Sequence, residues 1–108
     1  MHDFHFVGDK LFCERVPVDS LVKKFGTPLY VYSRQAMLAA LAPYQKALQG
    51  RPHLVCYAVK ANSNLAVLQT FAEAGCGFDI VSEVNPVFSF SAYNLHVVIA
   101  NNFRIVKI

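Results

Sequence analysis

Short apolar runs alternate along the chain with longer stretches whose apolar residues recur at intervals of three and four, and this rhythm sets the predicted order of elements. Residues 4–16 read as extended, with Gly8-Asp9 as a turn and Leu11-Phe12-Cys13-Glu14-Arg15-Val16 as β-compatible sequence before Pro17. Asp19 or Ser20 can cap a short helix carrying Leu21, Val22 and Phe25 on one face, and Gly26 stands where a helix end favours glycine. Leu29-Tyr30-Val31-Tyr32 is apolar without alternation, as in a strand covered on both faces.

Ser33 is a good helix N-cap, and residues 35–48 are rich in strong helix formers. Met37, Leu38, Leu41, Tyr44, Gln45 and Leu48 form a stripe on this helix, and Pro43 predicts a kink or break within it. His53–Val59 reads as a second buried strand. Asn62 or Ser63 can cap the next helix, whose apolar face is Leu65, Val67, Leu68, Phe71 and Ala72 and whose end is Gly75. Residues 77–81 make a third strand. Strands alternating with helices in this way predict βαβ units and a parallel sheet, with right-handed crossovers. After Ser82 the texture changes. Residues 87–93 and 95–100 are β-prone, Asn101-Asn102 is a turn signal, and no third helix appears where the alternation demands one. The tail could form a hairpin, but an apolar hairpin on a half-built parallel sheet is a solubility liability.

Composition narrows the class more than the function. The chain has 108 residues, 55% hydrophobic and 16% charged, which suits one small globular domain and argues against disorder. The net charge of +3 is spread without a basic stripe, so a nucleic-acid partner is not indicated. Cys13, Cys56 and Cys76 form no CxxC pair and suit reduced thiols, and the four histidines make no metal-binding pattern. The start lacks the basic and apolar regions of a signal peptide, and no apolar run approaches the ~20 residues of a membrane span, so a cytoplasmic location is the expectation.

The chemistry points to Cys56-Tyr57-Ala58-Val59-Lys60-Ala61-Asn62-Ser63-Asn64. A lysine at the end of a buried strand is ordinarily a solvated strand end. Here the apolar run before Lys60 is expected to desolvate its amine in part, and a free amine is what forms an imine with an aldehyde. Alternation along the strand would put Ala58 on the face of Lys60, leaving room for a flat ring. Parallel sheets carry their sites at the carboxyl ends of strands.

Tyr57–Asn64, followed by Gly77-Phe78-Asp79-Ile80-Val81-Ser82 and preceded by Phe25-Gly26-Thr27-Pro28-Leu29-Tyr30-Val31-Tyr32, resembles the diaminopimelate decarboxylase family. These are group IV, fold-type III decarboxylases that use pyridoxal 5'-phosphate. The resemblance covers about residues 4–82. It implies an α/β fold, the N-terminal part of a pyridoxal-phosphate-binding (β/α)8 (TIM) barrel with about three of its strands. The extended segment around Leu11–Val16 would join a second, β-rich domain. Lys60 would hold the cofactor as an imine, Ala58 would lie beside its ring, and Asp79 would approach Lys60 and help set its charge. Asp79 read without the resemblance is equally a helix cap or a solvated strand end. The implied reaction is decarboxylation of meso-diaminopimelate to L-lysine and carbon dioxide, with an amino acid as small-molecule substrate and a homodimer as the full-length assembly.

The resemblance stops where the family continues Val-Ser with Gly-Gly-Glu-Leu, because Ser82 is followed here by Glu83-Val84-Asn85-Pro86. Codons for Glu-Val-Asn preceded by one added G can be read as Gly-Gly-Glu. Residues 1–82 are therefore expected to be a partial barrel domain and 83–108 a non-matching, frameshifted tail. The family's phosphate loop and substrate-binding residues would lie beyond this chain, which on its own is expected to be inactive. A non-catalytic remnant, or a pyridoxal-phosphate-binding module without decarboxylase activity, is the alternative.

Overall fold

Two-residue loops shape the N-terminal part of the computed structural model, which describes residues 3–80, 96–99 and 104–107. Strand β1 (Phe4–Val7) pairs antiparallel with β2 (Lys10–Cys13) through Gly8-Asp9, and β3 (Val16–Pro17) pairs with β2 in turn. Gly8 lies at φ 63, the positive-φ geometry that glycine takes without strain at the head of a hairpin loop. The loop between β2 and β3 puts a non-glycine residue in that region, Glu14 at φ 56. Such a residue carries a strain of about 1–3 kcal/mol and persists only where its surroundings fix it. Here the Glu14 N–H donates to the Asp3 carbonyl, and its carboxylate is tied as well.

Helix α1 (Val18–Phe25) follows β3 and ends at Gly26, as predicted. Its N-cap is Pro17, with no side-chain cap, and Asp19 and Ser20 lie inside the helix rather than capping it. Ser20 Oγ donates instead to the Pro17 carbonyl at 2.7 Å. The strand predicted at Leu29–Tyr32 does not form. Tyr30 is 87% exposed and Tyr32 55%, and no described strand pairs with the run. An apolar segment without a ladder partner keeps its backbone groups for water, whatever its β-propensity.

Helix α2 (Arg34–Ala47) begins where expected, at Ser33, and runs through Pro43 without a break. Pro43 lacks the N–H that would reach the Ala39 carbonyl, and both residues are exposed, so water can serve the freed acceptor. By compactness the chain divides between Ala40 and Leu41. Among the described residues no helix is long and apolar enough to cross a membrane.

The second unit, 41–108, holds the parallel ladder. Strand β4 (Cys56–Ala58) pairs parallel with β5 (Gly77–Ile80), and β5 pairs parallel with β6 (His96–Ile99). Strand β7 (Arg104–Lys107) returns antiparallel to β6. The α/β class is as predicted, but β4 is shorter than the run 53–59. The third parallel strand comes from 96–99 instead of 29–32. Helix α3 (Leu65–Glu73) crosses from β4 to β5. Leu68 and Phe78, each 1% exposed, form the core, with Tyr57, Val59, Phe71 and Ala72 packed against them. Full burial of two such side chains contributes about 1.5–3 kcal/mol each. Leu65, predicted on the buried face, is exposed in the first turn of α3. The texture change after Ser82 lies outside the described residues.

Candidate functional site

Register and alternation fix which side chains meet at the carboxyl end of the parallel ladder. Tyr57 and Phe78 are register partners, and their rings meet edge to face at 6.2 Å. Both belong to the cluster built around Leu68 of α3, so this face of the sheet is covered by the helix. Successive strand residues point to opposite faces. Cys56 and Ala58 therefore share the other face with their partners Gly77 and Asp79.

Lys60 does not continue that strand. The ladder of β4 ends at Ala58, and Val59–Ala61 forms a single 3-10 turn that lies against β5. Alternation thus does not reach Lys60, and strand geometry does not put Ala58 and Lys60 on one face as expected. The desolvation expected from the apolar run is absent too, since Lys60 and Ala58 are both exposed. What holds the turn was not foreseen in the sequence. Tyr57 Oη donates to the Asn62 carbonyl at 2.9 Å. Asn62 Oδ1 accepts from the Asn64 N–H at 3.0 Å, and Asn64 Oδ1 accepts from the Ala66 N–H at 2.9 Å. Asn64, not Asn62 or Ser63, is the N-cap of α3. The signal was legible in principle: asparagine two residues before a backbone N–H is the composition of an Asx turn.

Asp79 supplies the electrostatic feature of the site. Its Oδ1 is buried and receives no hydrogen bond from any described residue, Lys60 included. A buried carboxylate oxygen without a donor costs about 1–3 kcal/mol or more, so its presence here calls for a donor or a cation. Cys56, on the same face, has its thiol pushed up by burial and then by the negative charge of Asp79. The Cys76 thiol is pushed up by burial and by Cys56. Both shifts favour the protonated, less nucleophilic thiol.

A carboxylate oxygen without a donor among the described residues, a neighbour as small as alanine and an exposed primary amine on the adjoining turn suit an aldehyde cofactor with a cationic or hydrogen-bonding ring. Residues 34–107 match the family model described as pyridoxal-dependent decarboxylase, pyridoxal binding domain. The chain belongs to this family. Pyridoxal phosphate is the cofactor that its domain binds. The match runs past Ser82, while the match to the diaminopimelate decarboxylase of Pseudomonas fluorescens spans 82 residues, at 52% identity. That match covers 76% of this chain and 20% of the relative. The diaminopimelate decarboxylase of Neisseria meningitidis serogroup B is 57% identical over 72 residues, covering 67% of this chain and 17% of the relative. The crystal structure of the diaminopimelate decarboxylase from M. jannaschi superposes with a TM-score of 0.69 at 35% identity, covering 74% of this chain and 20% of that one. The α/β architecture is that of the N-terminal part of this decarboxylase fold, a TIM barrel. The chain spans about a fifth of the length of the curated relatives it matches.

Proposed function

We propose that this chain is the cofactor-anchoring part of a diaminopimelate decarboxylase, acting on an amino acid and releasing carbon dioxide. The observation that carries the reading is the buried Asp79 Oδ1, without a donor among the described residues, beside Ala58 and next to the turn that presents Lys60. Lys60 would hold pyridoxal phosphate through its amine. Ala58 leaves the sheet face open for the ring, and Asp79 would meet a positive or hydrogen-bonding group on it. When bound, the cofactor supplies an electron sink for the pair left behind as a carboxylate departs as carbon dioxide. The chain's own groups bind, orient and supply negative charge. The identities shared with enzymes named diaminopimelate decarboxylase support that substrate.

The test is to incubate the 108-residue chain with pyridoxal phosphate, reduce with borohydride and locate the modified lysine by peptide mass. Labelling concentrated on Lys60, above Lys10, Lys23, Lys24, Lys46 and Lys107, is the expected result. Even labelling over all six would refute the reading. Carbon dioxide release from meso-diaminopimelate then separates an enzyme from a cofactor-binding module.

A further inference from the structure

Lys60 sits on one 3-10 turn, whose own internal hydrogen bonding is short and geometrically poor. Its direction must be set from outside. Tyr57 is placed to do this at both ends of its side chain. Its ring stacks on Phe71 with centroids 4.5 Å apart and 19° between planes, and meets Phe78 edge-on. The ring is thereby fixed between helix α3 and strand β5. Its hydroxyl then reaches past the turn to the Asn62 carbonyl at 2.9 Å. From Asn62 the hydrogen bonds continue through Asn64 to the first turn of α3. The chain before Lys60 and the chain after it are thus bound to the same core, with the lysine between the two anchors.

We infer that Tyr57 is the positioning residue of Lys60, clamping the Val59–Ala61 turn so that the amine is presented in a single direction beside Asp79. This deepens the functional reading above and rests on it for the purpose of the clamp, although the clamp itself is a property of the chain alone. In this role Tyr57 acts through Lys60. Its hydroxyl and its ring have separable tasks: the ring belongs to the core, and the hydroxyl orders the turn.

The experiment compares the full chain with Tyr57→Phe, which keeps the ring and removes the hydroxyl. Amide hydrogen exchange, measured without cofactor, is expected to speed up roughly fivefold at Asn64 and Ala66, the scale of one net hydrogen bond. Exchange within the body of α3 should stay as it was. In the borohydride experiment, the pyridoxal phosphate concentration giving half-maximal labelling of Lys60 should rise by a similar factor, with the other lysines unmoved. Tyr57→Leu, which loses the ring as well, should lower the thermal midpoint where Tyr57→Phe does not. Unchanged exchange in Tyr57→Phe overturns the clamp whichever way labelling falls. Faster exchange with unchanged Lys60 labelling overturns the positioning role. A wild-type chain without preference for Lys60 overturns the functional reading instead, a different result from either. If Tyr57→Phe fails to fold, 4-fluorophenylalanine at position 57, which keeps the ring and lacks the donor, takes its place, and the same two measurements decide.

Discussion

Ala58 and Asp79 are register partners across the parallel β4–β5 ladder, and the smaller side chain leaves open the face on which the carboxylate stands. A larger residue at 58 should therefore obstruct the site without disturbing the fold. For Ala58→Leu we expect Lys60 labelling by pyridoxal phosphate to fall about tenfold or more, since overpacking costs about 1–3 kcal/mol and 1.4 kcal/mol is a factor of ten. Ala58 is exposed, so stability should change by less than about 0.5 kcal/mol. Peptide-mass labelling and a urea titration on the same protein check both halves.

The opposite face of that ladder should respond in the opposite way. Phe78 and Leu68 are each 1% exposed and form the centre of the second unit's core. Phe78→Ala removes a ring that meets Tyr57, and the expected cost is about 3–5 kcal/mol. Small domains have about 5–15 kcal/mol in all, so a substantial part of the margin goes. Urea unfolding should show a markedly lower midpoint, with Leu68→Ala behaving alike at about 2–5 kcal/mol.

The contrast between these two faces also shows what the sequence could carry. The 3.6-residue spacing of Val67, Leu68 and Phe71 marked the buried side of α3, because a helix face is a local property. Gly26 and Ser33 marked helix ends for the same reason. Leu29–Tyr32 looked like a strand by propensity, yet a strand exists only through its neighbour, and pairing is not local. Lys60, Ala58 and Asp79 stood out by type and order. Their geometry did not, because one early end to β4 replaced strand alternation with a turn. Tyr57 went unnoticed as an apolar strand residue, since nothing local says where a hydroxyl finds its acceptor five residues on. The link from Glu14 to Ser33 crosses 19 positions and was invisible for the same reason.

That link gives a pH prediction. Glu14 Oε1 accepts from the Gln35 N–H and from Ser33 Oγ, each at 2.8 Å, while Ser33 Oγ accepts from the Ala36 N–H at 3.0 Å. The carboxylate thus serves the start of α2, and these bonds, led by the Gln35 N–H, hold the Glu14 carboxyl below its ordinary value of 4.5. A depressed folded value means stability that is complete above 4.5 and is lost as pH falls through the lower folded value. Thermal midpoints measured on acidification should decline over that window. Glu14→Gln should flatten this part of the profile while lowering stability at neutral pH. Ser33→Ala, which removes a buried cap, should cost about 1 kcal/mol. A Glu14→Gln profile as steep as that of the wild type would show that other carboxylates govern acid unfolding.

Cys56 reports on Asp79 from the same face of the sheet. Burial is the larger cause that lifts its thiol above the ordinary 9.0, and the Asp79 charge adds to it. Replacing Asp79 by asparagine removes the second cause and leaves the first. The thiol of Asp79→Asn should then titrate lower than in the wild type but still above 9.0. The raised value also means that the thiol's contribution to stability is whole below 9.0 and is lost as pH rises through the folded value; with a smaller gap between folded and unfolded thiols, Asp79→Asn should lose less stability on alkalinisation through Cys56 than the wild type. The measurement is the pH dependence of alkylation at Cys56, followed by peptide mass so that Cys13 and Cys76 are read separately. A shift confined to Cys56 would place the Asp79 charge on the Ala58 face of the sheet, where the functional reading needs it. An unchanged Cys56 profile would mean that the carboxylate is screened from that face and is unavailable to a cofactor there.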